Sequence, residues 1–360
     1  MNSSFKSFVC NIVYSPWGNK LVALVGAQKF YAGFHACSMR RRFLAEARKE
    51  FEKESAQGTF DDYKQALKKH WVTYSEYANQ YEFYNKSEAE RDEYISRLKM
   101  AYFYWGFTPG MAKSVFRNKT KFLKTFGKYV HRKWIYAPEV SFADFSQMIL
   151  SFDCIIKPSD GKLGKGIFKT YKDDPTKDTR KLYDLCVKDR MLVEECVEAC
   201  DELKAFHPKS LNTIRVVTIA NKEKAQVFSG VFRTGVGESV VDNSHQGGVS
   251  VQVNVDNGII ETDGANTSGE RFVKHPDSGI VFKGFQIPGW DKIVETCCEA
   301  ARLTENPITG WDVVLNNHGQ VEFIEANYGP DMDMMQTRYK AGAKKKLYSL
   351  IKEYCGVELK

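Results

Sequence analysis

Two short runs rich in β-branched and aromatic residues near the C-terminus place the strongest constraint on how this chain folds. Residues 309–315 and 320–327 flank the sequence Asn-Asn-His-Gly, whose residues favour a tight turn. The pattern therefore predicts two antiparallel strands joined as a hairpin. A turn closed over the middle two residues of that sequence places Asp312 opposite Phe323.

Three oxygen-bearing side chains fall on one face of this hairpin. Glu325 and Asn327 point the same way because side chains alternate along a strand, and Asp312 lies diagonally across from Glu325 at roughly 7–8 Å. Carboxylates and an amide oxygen suit Mg²⁺, which takes substrate phosphates and water at its remaining positions. The pattern predicts a shared cation site, and a surface hairpin whose acidic residues face water is the alternative.

A glycine-rich loop further upstream is suited to phosphate. A short apolar strand, residues 152–156, runs into a loop with three glycines and three lysines. Glycine permits backbone conformations that a Cβ forbids, so the N–H groups of the loop can approach a phosphate whose charge Lys157 opposes. The spacing fits neither a Walker A loop nor a Rossmann fingerprint, and a plain hairpin turn is the alternative. The candidate nucleotide-binding residues here are Lys157, Ser159, Gly161, Gly164, Lys165 and Gly166.

The order of these features along the chain reduces the number of folds that fit the sequence. An apolar strand with two adjacent carboxylates, residues 190–197, follows the glycine loop, and a strand with an arginine, residues 210–218, comes next. Together with the hairpin, this order resembles the ATP-grasp superfamily, an α+β fold whose two lobes hold ATP between them. Within that superfamily, five short sequence motifs resemble the sugar-transfer-associated branch. This branch is similar to ATP-dependent carboxylate–amine ligases. The motifs are His-Pro-x-Ser-Leu-Asn-Thr-x-Arg at 207–215, Val-Asp-Asn and Gly-Gly within 241–248, His-Pro-Asp-Ser-Gly at 275–279 and Ile-x-Gly-Trp-Asp at 308–312.

The resemblance implies ATP and Mg²⁺ as cofactors. Lys157 is expected to contact the α- and β-phosphates, and Lys119 corresponds to an earlier phosphate-binding lysine of the fold. The neighbouring Lys121 and Lys124 are alternatives to Lys119, because this region is rich in lysine. The residues expected to hold Mg²⁺ are Asp312, Glu325 and Asn327.

The same resemblance implies how the nucleoside is recognised. Glu194 is expected to accept a hydrogen bond from the adenine amino group. The backbone around Glu195 and Val197 is expected to read the edge of the adenine ring. Asp201 or Glu202 is expected to hold the ribose hydroxyl groups.

One position departs from the pattern of many amino-acid ligases with this fold. They carry an arginine two residues before the first metal-binding aspartate, and this chain has Gly310 there. Because charge spreads over the oxygens of a transferring phosphoryl group, another cation must stabilise it. Arg215 and Arg233 are the candidates, and Asn212 belongs to the polar cluster beside Arg215. These three are the predicted catalytic residues.

The most polar loop of the C-terminal region is predicted to border an acceptor pocket. A lone histidine in a loop is usually solvated, so His245 is a candidate acceptor contact and is not assigned as a base. The candidate acceptor-binding residues are Asp242, Asn243, His245, Gly247 and Gly248.

The chemistry implied by the resemblance is a two-step ligation. The γ-phosphoryl group of ATP passes to a carboxylate, and an amine then displaces phosphate from the acyl phosphate to form an amide. The expected partners are a small-molecule or glycan carboxylate and an amine, in surface-polysaccharide or related glycan modification. Two other classes remain open: a kinase on the same scaffold that phosphorylates a sugar or another hydroxyl group, and a non-catalytic binder of an anionic polymer or membrane surface.

Positive charge is concentrated towards the N-terminus. The chain carries a net charge of +7, and residues 94–138 contain many lysines, arginines and aromatic side chains but no acidic residue. An acidic glycan or an anionic membrane surface fits this segment better than nucleic acid, and a solvated helix face beside a phosphate site is the simplest alternative.

The cysteines and the hydropathy of the sequence indicate where in the cell the protein resides. Nine cysteines include one vicinal pair and form no paired zinc pattern, which favours reduced thiols. The apolar run at 21–37 is too short and too interrupted to cross a bilayer. We therefore predict a cytoplasmic protein, with peripheral attachment at the inner face of the membrane as an extension of that prediction.

Helical spacing and its breaks predict three regions. Residues 45–55, 60–82 and 87–105 are charged and aromatic at helical spacing, and residues 87–90 resemble a capping box. Thr-Pro-Gly at 108–110 then breaks the pattern. The predicted regions are a helical N-terminal region at 1–107, an ATP-grasp N-lobe with the glycine-rich flap at 108–190 and a C-lobe with metal and acceptor sites at 191–360.

Overall fold

The computed structural model describes residues 27–54, 57–160, 166–240, 242, 247–268 and 270–358. These residues form two compact units. The first combines the chain up to Thr108 with the chain from Asp331 onward, and the second runs from Pro109 to Pro330. The second unit carries both β-sheets and all residues of the candidate site that the structure describes.

The first unit is helical and has an aromatic core. Tyr63, Tyr77 and Phe83 are fully buried, and their rings pack with neighbouring tyrosines in tilted and edge-to-face arrangements. The predicted capping box is confirmed, because Ser87 accepts from the backbone of Glu90 and the Glu90 side chain accepts from the backbone of Ser87. The α-helices in the N-terminal part of the first unit are α1 (Ala27–Lys53), α2 (Phe60–His70), α3 (Glu88–Asp92) and α4 (Arg97–Phe107).

Two helices end earlier than their spacing predicts. Trp71 has a left-handed backbone with φ of 65° and ends α2, where the sequence predicted a helix to residue 82. The segment predicted as one helix over 87–105 is divided into α3 and α4, and Ser96 caps α4 by accepting from the backbone N–H of Lys99. Apolar spacing reports which face of a helix is buried, but it does not report where the backbone turns.

The second unit and the C-terminus supply the remaining helices of the described chain. No described helix is both long enough and apolar enough to span a membrane. The helices of the second unit are α5 (Gly110–Arg117), α6 (Lys119–Thr125), α7 (Phe142–Ser151), α8 (Thr179–Lys188), α9 (Asp201–Lys204) and α10 (Trp290–Thr304). The chain then returns to the first unit with α11 (Asp333–Tyr339) and α12 (Lys344–Cys355).

A small antiparallel sheet forms one lobe of the second unit. Its strands are β1 (Trp134–Tyr136), β2 (Cys154–Pro158), β3 (Phe168–Thr170) and β4 (Met191–Glu195), in the order β1-β4-β2-β3. The glycine-rich loop connects β2 to β3, as the sequence predicted. Three of its candidate residues, Gly161, Gly164 and Lys165, lie outside the described residues.

A large antiparallel sheet forms the other lobe. Helix α10 packs on it through apolar residues, and Trp311, on the strand next to one edge, is fully buried. The strands are β5 (Ile214–Ala220), β6 (Ala225–Thr234), β7 (Val249–Val253), β8 (Gly264–Ala265), β9 (Arg271–Phe272), β10 (Ile308–Leu315) and β11 (Val321–Asn327), in the order β11-β10-β5-β6-β7-β8-β9.

The predicted hairpin forms, but its predicted register is wrong. Val313 pairs with Phe323, because the turn is one residue longer than expected and includes Gly319 with φ of 68°. A β-bulge at Ile324 then shifts the pairing again, so that Asp312 lies directly opposite Glu325. The bulge thus brings the two carboxylates face to face rather than diagonally across the hairpin.

Candidate active site

Two arginines converge on the carboxylate of Asp312. Arg215 lies opposite Asp312 on the neighbouring strand and binds it through two parallel hydrogen bonds, Nε to Oδ1 at 2.7 Å and Nη2 to Oδ2 at 2.6 Å. Arg233 on β6 approaches the same Oδ2 with its Nη2 at 3.1 Å. Asp312 is 2% exposed, and its burial would raise its pKa, but the two guanidinium groups hold that pKa well below the usual range. The residue is therefore a buried anion with two cationic partners.

Glu325 completes a pair of facing carboxylates. Its side chain is exposed to solvent. Even so, loss of solvation from surrounding protein atoms and the nearby Asp312 carboxylate raise the pKa of Glu325. Two carboxylates directly opposite each other on paired strands repel each other unless a proton or a cation lies between them.

The donor set at this end of the hairpin fits a hard divalent cation. Asn327 lies two residues beyond Glu325 on the same strand and opposite Gly310, so its amide is on the face that carries Glu325. Two carboxylates and an amide oxygen are the ligands that Mg²⁺ prefers, and Oδ1 of Asp312 retains a lone pair beyond its single arginine contact. Asp312, Glu325 and Asn327 would hold such an ion.

The two lysines predicted to bind phosphate lie near each other and near Glu325. Lys119 begins α6, and its Nζ donates to the carbonyl oxygen of Pro158 at 3.0 Å. Burial and the positive charge of Lys157 lower the pKa of Lys119, while Glu325 opposes that shift. Lys119, Lys157 and Glu325 therefore lie within electrostatic range of one another.

The alternatives to Lys119 are engaged elsewhere. Lys121 donates to the hydroxyl of Ser114 at 2.8 Å, and Lys124 forms an ion pair with Glu139 at 2.9 Å. Both lysines are exposed. Their positions favour Lys119 as the phosphate-binding residue of this helix.

Ser159 and Gly166 lie at the two described ends of the glycine loop and have structural roles. Ser159 is buried, and its hydroxyl lies 3.0 Å from that of Thr120. Gly166 has φ of 73°, and a Cβ at this position would also crowd Pro158. These contacts fix where the loop leaves β2 and where it re-enters β3.

Glu194, the predicted adenine acceptor, has two cationic partners within the protein. Its carboxylate is almost fully buried, with Oε1 bound to Arg132 at 2.6 Å and Oε2 paired with Lys157. Burial opposes its ionisation, but Arg132 and Lys157 outweigh that effect and lower the pKa of Glu194. Arg132 and Lys157 are thus the partners of Glu194 in this structure, and its contact with the adenine amino group stays a prediction. Sequence reasoning missed Arg132, because one arginine in a basic segment carries no distinguishing signal.

The segment after β4 remains suited to a nucleoside. Glu195 and Val197 are partly exposed, and no hydrogen-bond partner within the described residues occupies the backbone N–H of Val197. Asp201 and Glu202 are exposed at the start of α9. These positions are compatible with a backbone contact to adenine and a carboxylate contact to ribose.

Asn212 is buried, and its side chain binds the surrounding backbone. It is fully buried with a left-handed φ of 55°. Its Nδ2 donates to the carbonyl oxygens of Leu203 and His207, both at 2.9 Å, and its Oδ1 accepts from Ser210 and Thr234. All four hydrogen bonds of the Asn212 side chain are made inside the protein, which favours a structural role, and its catalytic role stays an untested prediction.

The acceptor loop is described only in part. Asp242 accepts from the backbone N–H of Thr213 at 2.7 Å and lies 4.0 Å from Arg233. Gly247 has φ of 91°, and Gly248 is buried next to β7. Asn243 and His245 lie outside the described residues.

His275 binds the chain directly after β6 as a neutral imidazole. Its Nδ1 accepts from the backbone N–H of Asp277 at 3.2 Å, and its Nε2 lies 2.9 Å from the carbonyl oxygen of Gly235. This arrangement requires the proton on Nε2 and none on Nδ1. Burial lowers the pKa of His275 in the folded protein.

We expect His275→Asn to destabilise the protein by about 1–3 kcal/mol at pH 8, because it leaves buried partners unsatisfied. Since the folded pKa lies below the unfolded value of about 6.5, the contribution of His275 is complete above that pH and is lost as pH falls below it. Urea unfolding at pH 8 and pH 5.5 should therefore show a smaller difference from wild type at the lower pH. His318→Asn, at an exposed position of the hairpin turn, is the control, and an equal loss for His275→Asn at both pH values would contradict this prediction.

Gly310 has a steric reason to lack a side chain. A Cβ at this position would lie 2.7 Å from the Cβ of Pro330, which is closer than such atoms approach. An arginine therefore does not fit at this position, and the guanidinium groups of the site come from Arg215 and Arg233 on β5 and β6.

We expect Gly310→Ala to lower the free energy of unfolding by about 1–3 kcal/mol, the usual effect of overpacking. Gly127→Ala is the matched control, since a Cβ there meets no atom within 4 Å. Urea unfolding of both variants measures the difference. Equal stability of the two variants would show that Pro330 yields without cost.

The two lobes, the glycine-rich connection between β2 and β3 and the acidic hairpin together define an ATP-grasp fold. The chain belongs to the sugar-transfer associated ATP-grasp family, whose model matches residues 113–352. No curated protein matches the sequence.

Several solved ATP-grasp structures are distantly similar to this chain. N5-carboxyaminoimidazole ribonucleotide synthetase from Thermotoga maritima has 11% identity and a TM-score of 0.37, over 62% of this chain and 44% of that protein. The ATP-grasp ligase PsnB with its minimal precursor, Mg and ADP has 12% identity and a TM-score of 0.43, over 82% and 75%. L-amino acid ligase from Bacillus licheniformis has 12% identity and a TM-score of 0.38, over 63% and 44%. The chain spans less than half the length of the Thermotoga synthetase and of the Bacillus ligase.

Proposed function

We propose that this protein is an ATP- and Mg²⁺-dependent carboxylate–amine ligase that forms an amide through an acyl phosphate. The observation that carries the proposal is the convergence of Arg215 and Arg233 on Asp312, directly opposite Glu325. Fixed positive charge beside two carboxylates suited to a metal ion, within electrostatic range of Lys157, supports the proposal. The proposed process, modification of a surface polysaccharide or related glycan, follows from the description of the family.

Charge neutralisation is the main task of such a site. A carboxylate substrate and a triphosphate repel each other, and the repulsion is strong where water is excluded. Lys119 and Lys157 oppose the negative charge of the phosphates. Bound Mg²⁺ would neutralise the phosphate oxygens, and Asp312, Glu325 and Asn327 would hold it.

The two arginines act on the group that is transferred. In the first step the substrate carboxylate attacks the γ-phosphorus, the bond to the β-phosphate oxygen breaks, and ADP leaves. Negative charge spreads over the phosphoryl oxygens at that moment, and the guanidinium groups of Arg215 and Arg233 stabilise it. Asp312 holds both groups in place, so little reorganisation is needed.

The second step forms the amide bond. An amine attacks the acyl carbon, phosphate leaves with the electron pair of the carbon–oxygen bond, and the ammonium proton passes to solvent. ATP is thereby converted to ADP and inorganic phosphate, and one amide forms for each phosphate released.

Trapping of the acyl phosphate tests the proposal. Incubation with ATP, Mg²⁺ and hydroxylamine over a panel of uronic acids and amino acids should give a hydroxamate with equal amounts of ADP and inorganic phosphate. Glu325→Gln is the matched inactive control, since it keeps the size of the side chain. Formation of ADP without phosphate, together with a phosphorylated sugar, would identify a kinase and overturn the ligase proposal.

A further inference from the structure

A buried arginine connects the two lobes of the candidate site. Arg132 lies just before β1, and its side chain is 4% exposed. Its guanidinium group lies between two buried carboxylates, Glu194 on β4 and Glu322 on β11. One side chain thus bridges the small sheet and the acidic hairpin.

All five N–H groups of Arg132 have acceptors. Nε and Nη2 donate to Oε1 of Glu194 at 2.9 and 2.6 Å, and Nη1 donates to Glu322. Nη1 also donates to the carbonyl oxygen of Phe323 at 2.7 Å, and Nη2 to that of Ile324 at 3.4 Å. The planar fork of an arginine can satisfy this set, and a lysine cannot.

The two carbonyl groups bound by Arg132 belong to the bulge of β11. Ile324 is the extra residue that shifts the register and places Glu325 opposite Asp312. A bulge leaves backbone groups without partners in the sheet, and Arg132 supplies donors at this point. Glu322, the residue before the bulge, is held in addition by the backbone N–H of His131 at 2.8 Å.

On its other side, Arg132 acts on the phosphate-binding lysine. Glu194 uses one oxygen for Arg132 and the other for Lys157. A continuous series of ionic hydrogen bonds therefore runs from Lys157 through Glu194 and Arg132 to the bulge beside Glu325.

The energetics suggest that stability is not the main role of this series. Removing three charged groups from water costs much of what their attraction returns, and apolar residues of similar size are often as stable in such positions. What the ions provide and apolar groups do not is directed hydrogen bonding to the bulge and to Lys157.

We propose that Arg132 is a positioning residue that holds the bulge of β11, and with it Glu325, at a fixed place relative to Lys157. This inference rests on the proposed function for its meaning in catalysis. The bulge geometry that it explains is independent of the substrate.

The test compares Arg132→Lys with the double variant Arg132→Met/Glu322→Gln. The lysine keeps the charge but loses the fork. The double variant removes the arginine and one carboxylate together, keeps an oxygen acceptor for the N–H of His131, and leaves the Glu194–Lys157 pair intact. Arg180→Met, at an exposed position of α8, is the control.

Two readouts separate positioning from a general structural role. Mn²⁺ titrated in the presence of ADP should bind both Arg132 variants about 10–100-fold more weakly than wild type, as for the loss of a group that orients a metal ligand. Hydrogen exchange of the amides at 321–327 in the nucleotide-free protein should become faster in both variants, while α10 and β6 exchange as in wild type. The control should change neither quantity.

Each outcome decides the proposal. Unchanged exchange at 321–327 and unchanged Mn²⁺ affinity in either folded variant would overturn it. If the double variant does not fold, the same two measurements on Arg132→Lys decide the proposal. If wild type binds no Mn²⁺ with ADP, the proposed function fails, and the exchange rates still decide whether Arg132 holds the bulge.

Discussion

Asp312→Asn is expected to abolish turnover and to destabilise the protein. The substitution keeps the size of the side chain but removes the negative charge that Arg215 and Arg233 both contact. Breaking a buried ion pair from one side typically costs about 3–5 kcal/mol, because the partner charge stays buried. Because Asp312 is a proposed metal ligand, the substitution should also lower hydroxamate formation by at least about 10³-fold.

Urea unfolding and the hydroxamate assay measure these two effects of Asp312→Asn. Asp184→Asn is the matched control: Asp184 pairs with Arg180 on the exposed face of α8, and such a pair contributes little. If Asp312→Asn kept wild-type turnover, Asp312 would be a structural partner of the arginines and not part of a metal site.

Arg215→Lys should lower kcat by about 10³-fold, with a smaller effect on the KM for ATP. A lysine keeps the charge but cannot form the two parallel hydrogen bonds that fix Arg215 on Asp312. Charge that acts only on the transferring group lowers kcat rather than substrate binding. Steady-state kinetics with the acid found in the hydroxamate panel would measure both constants.

Arg233→Lys provides the comparison for Arg215→Lys. Arg233 makes one contact with Asp312 at 3.1 Å and donates twice to Thr213, so its loss should reduce kcat less than the loss of Arg215. An equal and large rise in KM for ATP in both variants, with kcat unchanged, would show that the arginines bind the nucleotide and do not act on the transfer.

The sequence predicts the fold of the second unit well because its signals are local. The alternation and turn residues of the hairpin, the glycines between two strands and the order of these features do not depend on distant contacts. The bulge at Ile324 was not predictable in this way. It depends on hydrogen bonds from Arg132, which lies 192 residues away in the chain.

The site residues also divide into those that a local sequence signal indicates and those that depend on distant partners. Arg215 and Arg233 were candidates because Gly310 leaves the usual position without a charge, and the structure brings both to Asp312. The internal partners of Asn212 and Glu194 were not predictable, because a polar residue in an apolar strand looks the same in sequence whether it faces a ligand or a buried partner. Only the partners found in the fold, Ser210 and Thr234 for Asn212 and Arg132 for Glu194, distinguish the two cases.

A crystal structure with Mg²⁺ and a non-hydrolysable ATP analogue would test the central claim most directly. We expect a Mg²⁺ ion about 2.0–2.1 Å from oxygens of Asp312 and Glu325, with phosphate oxygens in contact with Lys119 and Lys157. A nucleotide bound elsewhere, with Asp312 contacted by its arginines and no metal, would contradict the assignment of this hairpin as the metal site.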